Sequence, residues 1–134
     1  MPALECSEIE AVRVVALPVA LDVAQLSDDG ESMIRIAPDE ALFIGDASPE
    51  DIQIADPAAI VSIDLGWSGA WMSLRSFDEL CAHTIDWQIP IERPTVAQGL
   101  VAGVPAKVWF RSNEDDVLLF VQTAFAHELI ERLG

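Results

Sequence analysis

The hydrophobic pattern of this chain changes from strand-like to helical at only two places. Ser76 and Glu79 form the S-x-x-E pattern of a helix N-terminus, and apolar residues at helical spacing follow over about residues 77–83. Thr123 is placed to cap a second helix, whose predicted buried stripe consists of Phe125, Leu129, Ile130 and Leu133. A chain with two such helices among many short strands favours folds in which helices cover a sheet.

Short apolar segments between turn signals account for most of the remaining chain, and we predict them as strands. They lie at residues 11–17, 32–36, 41–45, 59–65, 70–75, 96–101, 106–111 and 117–121. Turns are predicted at residues 28–30, 37–40, 102–105 and 113–116, with one helical turn at 48–51. The second half therefore has the order β-α-β-β-β-α. This order predicts an α+β fold, a mainly antiparallel sheet with the two main helices on one face, loosely ferredoxin-like.

Charge limits the partners of the protein more than any motif does. The 134 residues include 23 acidic and 7 basic side chains, a formal net charge of −16, and the single lysine is Lys107. Phosphate backbones and anionic membrane surfaces repel such a chain, so we expect neither nucleic acid nor membrane as a partner. Thirteen of the acidic residues lie in residues 1–56. We expect partners to contact the less charged half, because charge is depleted at interface cores. A partner with a basic patch would instead bind the acidic half, and the sequence does not decide between the two.

The length and the terminal sequence predict a single cytoplasmic domain over residues 1–134. A chain of this size is typical of one domain, and we find no linker, repeat or low-complexity segment. No apolar run approaches the roughly 18 residues that span a bilayer, and the acidic N-terminus lacks the features of a signal peptide. Cys6 and Cys81 do not make a disulfide framework, and Cys81 is predicted as a reduced, buried thiol on the first helix.

Motifs for catalysis and metal binding are weak throughout the sequence. Residues 66–70 only superficially match a nucleophile elbow, G-x-S-x-G, because an alanine replaces the final glycine. His83 and His127 each stand alone on a predicted helix, and the acidic clusters 28–31 and 114–116 lack the periodicity of a calcium loop. We therefore predict no catalytic residue and no metal site in this chain.

Four tryptophans in a chain without tyrosine are the remaining feature that points to binding. Tryptophan is enriched at interface cores, where it supplies a large apolar area, and the alternative is packing in the protein's own core. Trp87 lies in a predicted loop and is the best interface candidate. The predicted interface residues are Trp67, Trp71, Trp87 and Trp109.

Five segments, in order along the chain, resemble a known family. Residues 35–45 (RIAPDEALFIG) resemble L-x-P-D-E-W-L-L-L-G, and residues 98–109 (QGLVAGVPAKVW) resemble x-T-x-L-A-G-V-P-V-L-L-W-R. The other matching segments are residues 61–65 with 71–74, 77–81 and 118–126. Together they resemble the gamma subunit of heterotetrameric sarcosine oxidase, a family related to the glycine-cleavage T-protein and to YgfZ-like folate-binding proteins. The resemblance covers about residues 35–133 and implies a fold like one sub-domain of the T-protein.

The family resemblance implies a non-catalytic subunit that supports assembly of a sarcosine-oxidase-like flavoprotein complex in N-methyl amine and one-carbon catabolism. The implied partners are alpha-, beta- and delta-type subunits. FAD, FMN, NAD and tetrahydrofolate are implied in those partners, whereas this chain would carry no cofactor. An isolated chain is expected to be able to form a homo-oligomer. The same role in a complex that oxidises another amine, such as N-methylglutamate, fits the sequence equally well.

The alternative function is a stand-alone module that binds tetrahydrofolate or a one-carbon unit, like the T-protein relatives. Such a module needs a carboxylate to hold the donors of the pterin ring. Asp64, which lies within the apolar segment 60–65, and Glu92 are the candidate folate-binding residues. We favour the assembly subunit because a folate cleft is usually built between sub-domains, and this chain matches about one of them.

Overall fold

The computed structural model describes residues 5–26, 33–45, 48–93, 95–111 and 115–133. These residues form two compact units. The five-stranded unit comprises the residues up to Glu8 and those from Gly66 onward, and the four-stranded unit runs from Ile9 to Leu65. In chain order the elements are β1 (Ser7–Glu8), β2 (Ala11–Val15), α1 (Pro18–Asp22), β3 (Gln25–Leu26), β4 (Met33–Ala37), β5 (Glu40–Ile44), a 3-10 turn (Pro49–Asp51), β6 (Ile52–Gln53), β7 (Ile60–Asp64), β8 (Trp67–Ser73), α2 (Leu74–Thr84), β9 (Thr95–Val101), β10 (Val104–Phe110), β11 (Asp116–Gln122) and α3 (Thr123–Leu133).

The five-stranded unit is built on one antiparallel sheet with the strand order β1-β8-β11-β10-β9. The continuous apolar run 117–121 forms most of β11, which lies in the middle of the sheet, where both faces of a strand are covered. A two-residue turn joins β9 to β10. Its residues, Ala102 and Gly103, both have a positive φ, 51° and 81°, as a two-residue hairpin with the twist of its strands requires.

Both long helices pack on the same face of this sheet. Phe77, Leu80 and Cys81 of α2 are buried there together with Leu129 of α3. β9, β10 and β11 each contribute alternate residues, because neighbours along a strand point to opposite faces. The buried sheet residues of this core are Ala97, Val101, Val104, Ala106, Val108, Phe110, Val117, Leu119 and Val121. The predicted α+β class and the order β-α-β-β-β-α are therefore confirmed.

The four-stranded unit holds a second antiparallel sheet, with the order β4-β5-β2-β7, and a two-stranded sheet of β3 and β6. Its core forms around the short helix α1, with β2, β5, β6 and Ala16 contributing the other buried side chains. The largest fully buried residues of this core are Phe43, Leu21, Val12 and Val14. The helical turn predicted at residues 48–51 is confirmed as the 3-10 turn.

Two helices differ from the sequence prediction. α2 begins at Leu74 rather than near residue 77, because Ser73 caps it: the Ser73 hydroxyl accepts a hydrogen bond from the backbone N–H of Ser76 at 3.1 Å. β8 consequently ends at Ser73, not at residue 75. No sequence pattern predicts α1, since five residues are too few to display a helical period. It begins at Pro18, whose ring suits the first turn of a helix.

Some predictions fall outside the described residues. They include the turn at 28–30, the acidic cluster 28–31 and the first two residues of the turn at 113–116. Asp116, the last residue of that turn, begins β11. The described residues divide into two compact units, and the single domain over residues 1–134 stays a prediction.

Candidate functional site

A cavity of about 360 Å³ lies in the five-stranded unit, between residues of four strands and the first turn of α3. Apolar groups form much of its wall, including Trp67, Leu100 and Phe125. The polar side chains that line it are Gln98, Lys107 and Gln122. Volumes of this size are at the lower end of the range for sites that bind small molecules.

The strand register brings these side chains together. Lys107 of β10 is directly opposite Gln98 of β9, so that both project from the same face of the sheet. The ammonium Nζ of Lys107 donates a hydrogen bond of 2.6 Å to Oε1 of Gln98. On β11, the strand on the other side of β10, Gln122 is opposite Trp67 of β8. Residues that are far apart in sequence therefore meet around one cavity.

Trp67 is held in place by contacts on its ring and on the flanking backbone. Its ring lies 5.4 Å from that of Phe120 in an edge-to-face arrangement. The Nζ of Lys107 is 5.7 Å from the centroid of the Trp67 ring, within the range of a cation–π interaction. The backbone N–H of Thr123 donates to the carbonyl of Gly66 at 2.8 Å, which fixes the start of α3 beside β8. The cation and the aromatic wall are thus positioned in advance.

Trp71 is the most exposed of the four tryptophans, with 47 % of its surface accessible. Its ring centroid lies 5.8 Å from that of Trp109, and the guanidinium of Arg111 lies 4.7 Å above it. Arg111 in turn donates a hydrogen bond of 2.7 Å to the carboxylate of Asp116. The exposed Trp71 and the half-buried Arg111 therefore form an aromatic and cationic pair, called here the Trp71–Arg111 surface.

Trp87 and Trp109, two of the other predicted interface tryptophans, are less exposed than Trp71. Trp109 is buried, with 4 % of its surface accessible. Trp87 lies in the loop after α2 and donates its indole N–H to the carbonyl of Leu100 at 2.9 Å. Its ring covers Gly99 so closely that a Cβ added there would lie 2.6 Å from Nε1. The contacts of Trp87 and the burial of Trp109 favour core packing for both, and Trp71 is the most exposed tryptophan.

The two candidate folate-binding carboxylates lie in different units. Asp64 is the last residue of β7 and pairs with Ala11 of β2. Glu92 is exposed in the loop between α2 and β9. Glu92 does not line the 360 Å³ cavity of the five-stranded unit. Asp64 does not line a groove of about 620 Å³ in the four-stranded unit. Folate binding by these residues stays a prediction.

The two histidines are exposed, and the free cysteine Cys81 is buried. His83 and His127 are exposed, and the Nε2 of His127 lies 3.0 Å from a carboxylate oxygen of Glu131. Cys81 is buried as predicted, and burial, with a smaller contribution from Asp78, raises the pKa of its thiol to about 11. In the part of the chain that the structure describes, no group of three or more His, Cys, Asp or Glu residues is arranged to hold a metal ion.

Comparison with known proteins adds no support to the family resemblance. Neither a protein-family model nor a curated protein matches this chain. The resemblance to the sarcosine oxidase gamma subunit therefore stays a prediction. Within the described ranges, no helix combines the length and the apolar character needed to cross a membrane.

Sequence reasoning did not select the residues that form the polar side of the cavity. Gln98, Lys107 and Gln122 match no motif, and the register that joins them depends on the fold. One signal in the sequence points to Lys107, because it is the single lysine among 23 acidic residues.

Proposed function

We propose that this chain is a non-catalytic subunit that supports assembly of a sarcosine-oxidase-like flavoprotein complex in the cytoplasm. The ordered family-like segments over residues 35–133 support this role. In the proposal, the alpha-, beta- and delta-type subunits hold FAD, FMN, NAD and tetrahydrofolate. This chain contributes a contact surface and holds no cofactor of the reaction.

The observation that carries the proposal is the Trp71–Arg111 surface. Tryptophan and arginine are the residue types most often responsible for binding energy at protein interfaces. The ring of Trp71 already packs against the ring of Trp109 and the guanidinium of Arg111. A side chain that is fixed before binding loses little conformational entropy when a partner docks.

Charge supports the same location for the interface. Trp71 lies in residues 57–134, the less acidic half of the chain, which holds ten of the 23 acidic residues and five of the seven basic ones. Interface cores are depleted in charged groups, because each buried charge must lose its water. The Trp71–Arg111 surface combines exposed apolar area with a cation that already has a carboxylate partner, Asp116.

Co-expression with alpha-, beta- and delta-type subunits of a sarcosine-oxidase-like complex tests the proposal. The tagged chain is expected to elute with those subunits as one complex that shows flavin absorbance. Trp71→Ala is expected to weaken the complex about tenfold or more, as truncation of a central interface tryptophan does. Val19→Ala is the matched control, because Val19 is also exposed and apolar, at 70 %, but lies in the four-stranded unit.

Two results would contradict the proposal at different levels. Elution of the chain as a free monomer, without a flavoprotein, would exclude the assembly role. An intact complex with Trp71→Ala would leave that role in place but remove the Trp71–Arg111 surface as its contact. Saturable quenching of the isolated chain's fluorescence by tetrahydrofolate would instead support the folate-binding alternative.

A further inference from the structure

Among the described residues, the two larger sheets end in four edge strands, and three of them are poorly suited to pair with a further strand. β1 has only two residues. On β9, the indole N–H of Trp87 occupies the carbonyl of Leu100. The register of β4 shifts between Arg35 and Ala37, and short or irregular edges discourage pairing. β7 differs from all three, because its five residues keep an unbroken register with β2 and include no proline, lysine or arginine.

Hydrogen bonds at both ends of β2 show which of its backbone groups face β7. The N–H of Gly45 donates to the carbonyl of Glu10 at 3.1 Å, and the N–H of Ala16 donates to the carbonyl of Asp39 at 3.0 Å. Even-numbered residues along β2 therefore bond toward β5. Neighbouring residues of a strand direct their backbone groups to opposite sides, so the odd-numbered residues of β2 bond toward β7.

The same alternation shows which backbone groups of β7 face outward. The residues opposite the odd-numbered positions of β2 are Ile60, Ser62 and Asp64. Val61 and Ile63 lie between them, so their N–H and C=O groups point away from β2. In the described part of the chain, no other strand pairs with β7. This strand therefore presents a row of backbone donors and acceptors, as edge strands do.

Exposed apolar side chains accompany these backbone groups. Ile60 and Ile63 have 59 % and 65 % of their surface accessible. They are three residues apart in the strand and so project from opposite faces of the sheet. A strand added beside β7 would cover an isoleucine on each face, and such cross-strand apolar pairs stabilise a sheet. Extended backbone is therefore the form in which a partner fits this edge.

Charge in the four-stranded unit selects the kind of partner. Residues 9–65 include twelve acidic side chains and two arginines. Both arginines already lie against carboxylates, in the pairs Arg13–Glu40 and Arg35–Asp22. A second copy of this chain would bring the same excess of negative charge to the contact, whereas lysine and arginine side chains would be attracted.

Two carboxylates place part of this charge near β7. Asp51 belongs to the 3-10 turn, which lies close to β7, and Asp56 begins the turn that leads into the strand. The hydrogen-bond donors are the hydroxyl and backbone N–H of Ser48 for Asp51, and backbone N–H groups for Asp56. These donors are neutral, so they leave the negative charge of both carboxylates in place.

We propose that the β7 edge, formed by the outward backbone groups of Val61 and Ile63 and the exposed side chain of Ile60, binds an extended basic segment of a partner protein. The segment adds a fifth strand to the four-stranded sheet, and its lysine or arginine side chains face an acidic surface. This edge is independent of the Trp71–Arg111 surface, because it lies in the other unit and its binding is measured on the isolated chain. Failure of one proposal leaves the other in place.

Binding of a short basic peptide to the purified chain tests the proposal. The probe is the fluorescein-labelled heptapeptide Lys-Val-Lys-Val-Lys-Val-Lys, and the control is Glu-Val-Glu-Val-Glu-Val-Glu, which has the same alternation and the opposite charge. In fluorescence anisotropy, the basic peptide is expected to bind at least about tenfold more tightly. Bound peptide should slow hydrogen exchange at the amides of Val61 and Ile63 about tenfold or more. The amide of Ser62 faces β2 and should not change.

N-methylated peptides distinguish strand pairing from attraction between charges alone. One version of the basic peptide carries methyl groups on its valine amides, and the other carries them on its lysine amides. Only alternate amides of a strand face its neighbour, so one version is expected to lose at least about tenfold in affinity and the other to lose little. Neither version alters the protein, so this comparison holds whatever a substitution does to its folding.

Two variants at one residue separate the backbone group from the side chain. Ile63→Pro removes an outward N–H, which is the position at which an edge strand tolerates proline. It is expected to weaken binding of the basic peptide at least about tenfold, whereas Ile63→Ala, which keeps the N–H, should weaken it less. Far-UV circular dichroism establishes that both variants are folded before the titration.

Four results would overturn the proposal. Equal affinity of the two N-methylated peptides would exclude strand pairing, and unchanged exchange at Val61 and Ile63 would place the peptide elsewhere. Equal or tighter binding of the glutamate peptide would exclude the role of charge. Protection of the same two amides that grows with protein concentration, without any peptide, would make a second copy of this chain the occupant of the β7 edge.

Discussion

The two units of this protein are stabilised by different kinds of interaction. In the five-stranded unit, two eleven-residue helices cover one face of the sheet, and the rings of Phe77 and Phe110 meet edge-to-face at 5.6 Å in the core between them. The four-stranded unit has only a five-residue helix. There a carboxylate fixes the loops: Asp56 accepts hydrogen bonds of 2.9 Å from the backbone N–H groups of Leu17 and Ala58.

This difference shows how a short helix changes what stabilises a sheet. Long amphipathic helices bury enough apolar area to stabilise the five-stranded unit by packing. A single short helix covers less, so the neighbouring loops depend on side chains that satisfy backbone groups. Arg35 acts in the same way, donating to the carbonyls of Ala37 and Pro38. Substitutions in the core and in the loops should therefore affect the two units differently.

The largest effect is expected from Phe110→Ala in the core of the five-stranded unit. Phe110 is fully buried, and removal of its ring should lower the free energy of unfolding by about 3–5 kcal/mol. Urea unfolding followed by tryptophan fluorescence measures this, because all four tryptophans lie in the same unit. Ile91→Ala, at a residue that is 91 % exposed, is the control and should change little. Equal losses from both variants would contradict the packing account of this unit.

A smaller effect is expected from Asp56→Ala in the four-stranded unit. The variant leaves the N–H groups of Leu17 and Ala58 without their acceptor, which should cost about 1–2 kcal/mol. Hydrogen exchange should accelerate at those two amides, and Glu50→Ala, an exposed carboxylate of the same unit, provides the control. Unchanged exchange at Leu17 would show that the loop does not depend on this carboxylate.

The smallest effect is expected from pH, and it has opposite signs in the two units. Cys81 has a pKa raised from 9.0 to about 11, so the five-stranded unit should lose stability as the pH rises above 9, by about 1 kcal/mol at pH 10. Hydrogen bonds from Ser48 lower the pKa of Asp51 in the four-stranded unit below 3.8, so that contribution is lost as the pH falls.

Urea midpoints measured across this alkaline range check the Cys81 prediction. The Cys81→Ala variant should lose most of the alkaline slope, and the chain has no tyrosine to obscure it. A smaller slope should remain from Cys6, because burial raises the pKa of that thiol as well. An undiminished slope in Cys81→Ala would assign the effect to another group.

The sequence predicted the order of elements from β8 to α3, though not β1, because helical and strand periods are local properties. The helical spacing of Phe77, Leu80 and Cys81 predicts that they share one face of α2, and all three are buried. Ambiguity arose where two local patterns competed, since Ser73 and Ser76 both suit a helix N-terminus. Local sequence patterns could not predict the cavity, because the hydrogen bond between Gln98 and Lys107 depends on strand register.

The contact of Trp87 with β9 has a consequence for how this protein behaves at high concentration. β9 is the last strand of its sheet, and Leu100 directs its carbonyl away from β10. The indole N–H of Trp87 donates a hydrogen bond to that carbonyl. The backbone N–H of Ala102 donates a hydrogen bond of 2.8 Å to the carbonyl of Thr84. These two backbone groups are therefore not available to pair with a strand of another molecule. The bare Gly99, which lets the indole approach, thus helps to keep the chain from aggregating through its sheet edge.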